Sequence, residues 1–248
     1  EIRAELKIRG DKCKAKGVTP GLVIIRVGDD PASVSYVTGK EQAAEEIGVW
    51  SETFVLPETA TEGDLLAKVE EMNKAEHVHG ILVQLPVPKH INADKVLDLI
   101  DPAKDVDGFH PINVGKMLIG DPYFMPCTPY GAVELMIRSG NAPAGKHVVI
   151  CGRSNIVGKP LMAMLVQKNA RGNATITVVH TGTPNMAEYT RQADILVACM
   201  GVPEIIKADM VKEGAVVIDV GVNRVGMKPS KKDPNKMGAD LRGDVEFG

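Results

Sequence analysis

Short apolar runs alternate along the chain with charged stretches that carry apolar residues at helical spacing. Residues 1–16 are charged, with Ile2, Leu6 and Cys13 apolar, and predict a helix that Gly17 ends. Residues 22–27 (LVIIRV) form a continuous run rich in β-branched side chains and predict a buried strand. Asp30-Pro31 marks a turn and a helix start, and residues 33–47 predict that helix, closed by Gly48. Residues 51–56 alternate as a strand. Thr61 and Asp64 have the spacing of a cap for a helix over 61–74. Residues 80–85 predict a buried strand stopped by Pro86, and residues 92–100 a helix. Residues 101–131 are rich in Gly, Pro and Asp and poor in period, and predict a long functional loop region.

The pattern restarts near Thr128. Helices are predicted over 129–139, 158–168, 186–192 and 207–211, and strands over 147–151, 175–179, 195–199 and 215–220. Strands alternating with helices imply βαβ units and a parallel sheet. The lysine-rich residues 226–240, with two prolines, predict a solvated loop or an edge hairpin. The fold class is therefore α/β. Two α/β domains are expected, residues 1–125 and 126–248, the second Rossmann-like with a parallel sheet.

Composition sets limits on partners. A chain of 248 residues, 44% hydrophobic and 25% charged, is ordinary for a globular protein and excludes disordered, collagen-like and coiled-coil classes. A net charge of −3 gives no electrostatic case for nucleic acid or an anionic membrane. No run of 18 apolar residues occurs, so no membrane span is expected. Cys13, Cys127, Cys151 and Cys199 form no CxxC pair and predict reduced, mostly buried thiols in a cytoplasmic setting. The chain opens on a charged helix rather than a signal peptide. It begins at Glu1 and stops at Gly248 in mid-pattern, so trimmed ends are expected.

The segment Gly152-Arg153-Ser154-Asn155-Ile156-Val157-Gly158-Lys159-Pro160 follows a strand and opens a helix. A dinucleotide fold places its pyrophosphate there, against free backbone N–H groups. Ser154 stands where the second glycine of GxGxxG would be, and its hydroxyl can donate to a phosphate. The alternative is a plain tight turn. The next strand ends in His180-Thr181-Gly182-Thr183 with no carboxylate for a ribose 2′-hydroxyl. Hydroxyls and Arg153 suit a 2′-phosphate better, which favours NADP over NAD.

Tyr36 and Lys40 share a helix face and form a proton-handling pair if they line a site, or else a surface tyrosine and a solvated lysine. Gln84 lies in an apolar run, where a buried amide needs backbone or ligand partners. Asp105 and Asp107 flank Val106 before Gly108; one could anchor a polar heterocycle, or both could serve turn chemistry. Cys127 has no local base. The histidines show no metal-ligand spacing beyond His77/His79, so no metal is expected.

Six segments occur together and in order: Tyr36-Val37-Thr38-Gly39-Lys40, GILVQLPVPKHI, KDVDGFHPIN, PCTPYG, GRSNIVGKP and VIDVGVNRV. With them the chain closely resembles the bacterial-type bifunctional methylenetetrahydrofolate dehydrogenase/methenyltetrahydrofolate cyclohydrolase family, over nearly its whole length. The resemblance implies two domains flanking a cleft for folate and NADP. It implies oxidation of 5,10-methylenetetrahydrofolate with NADP+ and hydrolysis of the product to 10-formyltetrahydrofolate. Lys40 then handles protons, Gln84 contacts it, Tyr36 shapes the site, and Asp107 holds the pterin amino edge. Val83 and Leu85 join the substrate-binding set. Gly152, Arg153, Ser154, Ile156, Val157, Thr181 and Val222 match cofactor positions. The resemblance also implies a cytoplasmic homodimer of one-carbon metabolism serving purine biosynthesis. A monofunctional dehydrogenase and a catalytically silent dinucleotide-binding protein are the other readings. Two departures stand out. The family usually carries a Ser- or Arg-containing turn at 181–183. It also continues past Gly248 through a Pro/Gly-rich loop and a helix near the folate.

Overall fold

The structure, a computed structural model, describes residues 1–229 and 237–247. The chain forms two compact units, Glu1–Lys116 with Pro122–Met125, and Met117–Asp121 with Pro126–Gly248.

The first unit begins with α1 (Ile2–Ala15), β1 (Gly21–Val27), α2 (Pro31–Ile47) and β2 (Trp50–Leu56). It continues with α3 (Glu62–Lys74), β3 (Gly80–Val83), α4 (Ala93–Leu99) and most of α5 (Pro111–Leu118), whose last two residues are counted with the second unit. Its sheet runs β2-β1-β3, all parallel. Both faces of β1 are covered, which is why its sequence from Leu22 to Val27 is apolar at every position but Arg26. Val23 and Ile25 pack with Ile81, Leu65, Val69 and Val96 on one face. Ile24 packs with Leu82 and with Val37 of α2 on the other. Asp30 caps α2 by accepting the Ser33 N–H at 2.9 Å, and Gly48 ends it at φ 76°. Thr61 and Asp64 form a reciprocal capping box on α3.

The second unit holds α6 (Cys127–Arg138), β4 (His147–Cys151), α7 (Gly158–Leu165), β5 (Thr175–Val179), α8 (Met186–Thr190) and β6 (Ile195–Ala198). A 3-10 turn at Ala208–Met210 and β7 (Val216–Asp219) follow, then β8 (Asn223–Pro229) and β9 (Met237–Arg242). The sheet order is β5-β4-β6-β7, all parallel. Chain order reverses on either side of β4. In an open parallel sheet, ligands bind at such a switch point, beyond the carboxyl ends of the strands.

Four expectations are corrected. The 101–131 region is not all loop: α5 lies within it, hidden by its Pro and Gly content, and α6 starts at Cys127. β3 ends at Val83 rather than Leu85. α7 stops at Leu165, short of 168, because the chain turns there and the Gln167 side chain donates to the Ala163 carbonyl at 2.9 Å. The thiols are not mostly buried: Cys13 and Cys127 are exposed on helices, while Cys151 is buried and Cys199 partly so. The 226–240 segment forms a hairpin where it is described, β8 pairing antiparallel with β9; residues 230–236 lie outside the described residues.

Candidate active site

In the first unit the switch point falls between β1 and β3. Gln84 extends β3 by one backbone bond, its N–H donating to the Ile25 carbonyl at 2.8 Å. Strand alternation turns its side chain to the face of Leu82, which is the α2 face. There Lys40 Nζ donates to Gln84 Oε1 at 3.0 Å. Gln84 Nε2 in turn donates to the Leu85 carbonyl at 2.8 Å, so the amide oxygen stays aimed at the lysine. Tyr36 stands one turn earlier on α2, exposed.

Asp107 comes to this cluster from the loop after α4. Burial pushes its carboxyl up to about 6 from 3.8; the Lys40 charge opposes that rise and Asp105 adds to it. The two aspartates divide their work. Asp105 is buried and accepts the His110 N–H at 2.8 Å and Asn113 Nδ2 at 2.9 Å, while its backbone bridges Ile81. Lys104 Nζ donates to the carbonyls of Met72, Asn73 and Ala75 at 3.1, 2.7 and 2.9 Å, covering the C-terminal end of α3. Lys104 and Asp105 thus brace the loop that carries Asp107.

Leu85 is half-buried beside Gln84. Val83 departs from the expected role: its side chain is 2% exposed in the core on the opposite face, so only its backbone could meet a substrate. Arg26, not singled out in the sequence, is buried on β1. Its Nη1 donates to the Gly28 carbonyl and to Asp29 Oδ1, fixing the turn into α2. A charged residue inside LVIIRV was the available signal.

In the second unit, Gly152 ends β4 with φ 141°. A β-carbon there would meet the carbonyl oxygen and sulfur of Cys199, at the end of β6. Its N–H donates to the Val179 carbonyl of β5 at 2.8 Å. The turn therefore touches both neighbouring strands. The expectation of free N–H groups at the helix start is corrected: Ser154 Oγ accepts those of Val157 and Gly158 at 3.1 and 3.4 Å. The serine oxygen caps α7, and its hydroxyl hydrogen remains a donor. Arg153 and Ile156 are exposed on the turn, and Val157 is buried beneath it.

At the end of β5, Thr183 and His180 close a turn through His180 N–H to Thr183 Oγ1 at 3.0 Å and Thr183 N–H to the His180 carbonyl at 2.8 Å. Thr181 is exposed at its tip, and no carboxylate stands in the turn. Val222 is exposed beyond β7. A turn without a side chain at 152, a hydroxyl at 154 and an exposed guanidinium at 153 suits an anionic dinucleotide. Burial pushes the Cys151 and Cys199 thiols up to about 12, so neither is a thiolate nucleophile at neutral pH. A polar cavity of about 380 Å³ lined by Asn141, Lys146, Asp194 and Lys212 opens at the amino ends of β6 and β7, opposite the ligand edge. Among the described residues, no three His, Cys, Asp or Glu side chains are grouped to hold a metal ion, and no helix is long and apolar enough to cross a membrane.

A parallel sheet with a glycine turn at its switch point defines the second unit as a nucleotide-binding one, joined to an α/β unit with a lysine–amide–carboxylate cluster. Residues 1–107 match the catalytic domain of tetrahydrofolate dehydrogenase/cyclohydrolase, and residues 126–248 match its NAD(P)-binding domain. The chain belongs to the tetrahydrofolate dehydrogenase/cyclohydrolase family. It is 55% identical over 249 aligned residues to the bifunctional protein FolD of Desulfosudis oleivorans, covering 100% of this chain and 81% of the relative. The crystal structure of the bifunctional FolD of Campylobacter jejuni has 43% identity and a TM-score of 0.88, covering 99% of this chain and 82% of that one. The FolD of Trypanosoma brucei, solved with NADP cofactor and inhibitor, has 37% identity and a TM-score of 0.88, covering 98% and 81%.

Proposed function

We propose that this chain is a bifunctional one-carbon folate enzyme. It oxidises 5,10-methylenetetrahydrofolate to 5,10-methenyltetrahydrofolate with NADP+ and hydrolyses that product to 10-formyltetrahydrofolate. The observation that carries the reading is the hydrogen bond from Lys40 Nζ to Gln84 Oε1, with Asp107 close enough for its charge to respond to Lys40.

Bound NADP+ supplies the acceptor for the hydrogen lost from the folate methylene carbon. Gly152 leaves room for the pyrophosphate, Ser154 donates its hydroxyl, and Arg153 with Thr181 meets the 2′-phosphate. Ile156, Val157 and Val222 line the nucleotide. Asp107 holds the pterin amino edge, Tyr36 shapes the ring's surroundings, and Leu85 and the Val83 backbone border it. In the second step water adds to the methenyl carbon and gives up a proton; the bond from that carbon to one ring nitrogen then breaks, the nitrogen gaining a proton as the new hydroxyl loses its own and becomes the formyl oxygen. Lys40 handles these protons, positioned by Gln84. The enzyme is cytoplasmic, acts as a homodimer, and serves purine biosynthesis.

The test is an absorbance assay of methenyl formation and decay, with methylenetetrahydrofolate and NADP+ or NAD+ supplied separately. Formation with NADP+ followed by enzyme-dependent decay supports the reading. Formation without catalysed decay would make the chain a monofunctional dehydrogenase.

A further inference from the structure

We propose that Asp244 is a positioning residue for the dinucleotide, holding the ligand edge of the second sheet in its binding form; this rests on the NADP reading above. Its side chain is fully buried. Its carboxylate accepts the backbone N–H groups of Met200, Gly201 and Val202 at 2.5, 2.9 and 3.1 Å, and Asn223 Nδ2 at 2.8 Å. Three consecutive amides turned onto one anion make a nest, here filled from within the chain.

The position of that nest gives it a role. Residues 199–202 leave β6 at the switch point, and Cys199 is the residue against which Gly152 packs. Asn223 follows Val222 and opens β8, after the chain leaves β7 at Asp219. One carboxylate therefore ties the loop beneath the phosphate turn to the loop that carries Val222. Asp219 completes the clasp. It accepts the N–H groups of Gly221, Asp244 and Val245 at 2.9, 3.0 and 3.1 Å. The backbone must come close for this to happen: a β-carbon at Gly221 would collide with the Asp244 carboxylate.

A buried acid is costly unless every lone pair is used. The four groups that donate to the Asp244 carboxylate are three backbone amides just past β6 and the side chain of Asn223, which opens β8. The apolar core below them, with Val149, Leu196, Ala198 and Ile206, is packed by other residues. Asparagine at 244 keeps the shape but turns an amide NH2 toward backbone N–H groups, so the loop must move.

The test compares Asp244→Asn and Asn223→Ala with the wild type. Calorimetry gives the Kd for NADP, and steady-state kinetics give the KM for NADP and for methylenetetrahydrofolate. Methenyl hydrolysis without nucleotide reports on the first unit. Asp244→Asn is expected to raise the Kd and KM for NADP about tenfold or more, and Asn223→Ala about threefold, with hydrolysis within about twofold of wild type. Unchanged NADP affinity in both variants would overturn the proposal. So would parallel loss of hydrolysis and NADP binding in both, which would make Asp244 a general folding element. A wild type that binds NADP but oxidises no folate would instead overturn the functional reading and leave the affinity comparison valid.

Discussion

Lys40 Nζ and Gln84 Oε1 are 3.0 Å apart and 44 residues apart in sequence, one on α2 and the other just past β3. The neutral amide fixes the side chain by a hydrogen bond and adds no second negative charge to the one Asp107 can carry within electrostatic reach of Lys40. The fixed amide also limits the rotamers open to a long, flexible side chain.

Lys40→Met is expected to slow methenyl hydrolysis by about 10²–10⁴-fold, the usual contribution of a positioned proton-transfer group. The Kd for NADP, a property of the other unit, should stay within about twofold on the same scale of reading. Stopped-flow decay of methenyltetrahydrofolate and calorimetry with NADP check the two halves. Hydrolysis at the wild-type rate would remove Lys40 from the chemistry.

Gln84→Glu places a carboxylate against the same ammonium. It should keep the side chain located but hold it charged. Hydrolysis near neutral pH should fall, and the pH–rate profile should shift toward alkaline pH. A fall in rate with no movement of the profile would mean that Gln84 acts on shape alone.

The strands of both units, the parallel sense of the second sheet and the phosphate turn were legible because each leaves a local mark. LVIIRV, GILV and HVVIC are apolar on both faces, and GRSNIVGKP sits between a strand and a helix. Tyr36 and Lys40 could be paired by helical spacing. Their connection to Gln84 could be reached only through family resemblance, since it spans a β-α-β crossover. Asp105 and Asp107 look equivalent in KDVDG. Which of them is the brace depends on Asn113 and His110, and no local pattern encodes that choice. The nest around Asp244 was invisible for the same reason: its donors lie 42 to 44 residues upstream. Ser154 is recognisable in the sequence as a phosphate donor, whereas its acceptance of the Val157 and Gly158 N–H groups depends on the geometry of the turn.

The raised carboxyl of Asp107 makes stability depend on pH. Native Asp107 keeps its proton up to about pH 6, whereas its ordinary value is 3.8. The native state thus binds more protons between those values. The resulting stabilisation is fully present below about 3.8 and is lost as pH rises through about 6. Asp107→Asn abolishes this titration. Urea unfolding of both proteins from about pH 4 to about pH 7 should show the variant gaining stability relative to wild type as pH rises. A constant difference across that range would contradict the assignment. Lys40→Met should extend the loss to higher pH, because it removes the charge that opposes the shift.

Gly152→Ala tests the cradle at the end of β4. The added methyl meets Cys199, and φ 141° is strained for any side chain. A cost of about 1–3 kcal/mol in unfolding free energy is expected from the backbone conformation. The Kd for NADP should rise more than that of any other single change in the turn. Hydrolysis without nucleotide should survive wherever the variant remains folded. Denaturant titration and calorimetry separate the two effects.

Arg153→Ala addresses cofactor choice. The guanidinium is exposed on the turn after β4, and the turn after β5 offers Thr181 and Thr183 but no acid. A ribose 2′-hydroxyl gains little from an arginine, whereas a 2′-phosphate gains a charge-assisted pair. Removing it should raise the KM for NADP about tenfold or more while leaving the KM for NAD within about twofold, the difference expected for one lost hydrogen bond to a charged group. A second variant, Thr181→Asp, adds the carboxylate that NAD sites present at this strand end. It should repel the 2′-phosphate and lower the KM ratio of NAD to NADP further. Equal effects of Arg153→Ala on the two cofactors would show that the arginine meets the shared pyrophosphate instead, and the preference for NADP would then need another source in the β5 turn.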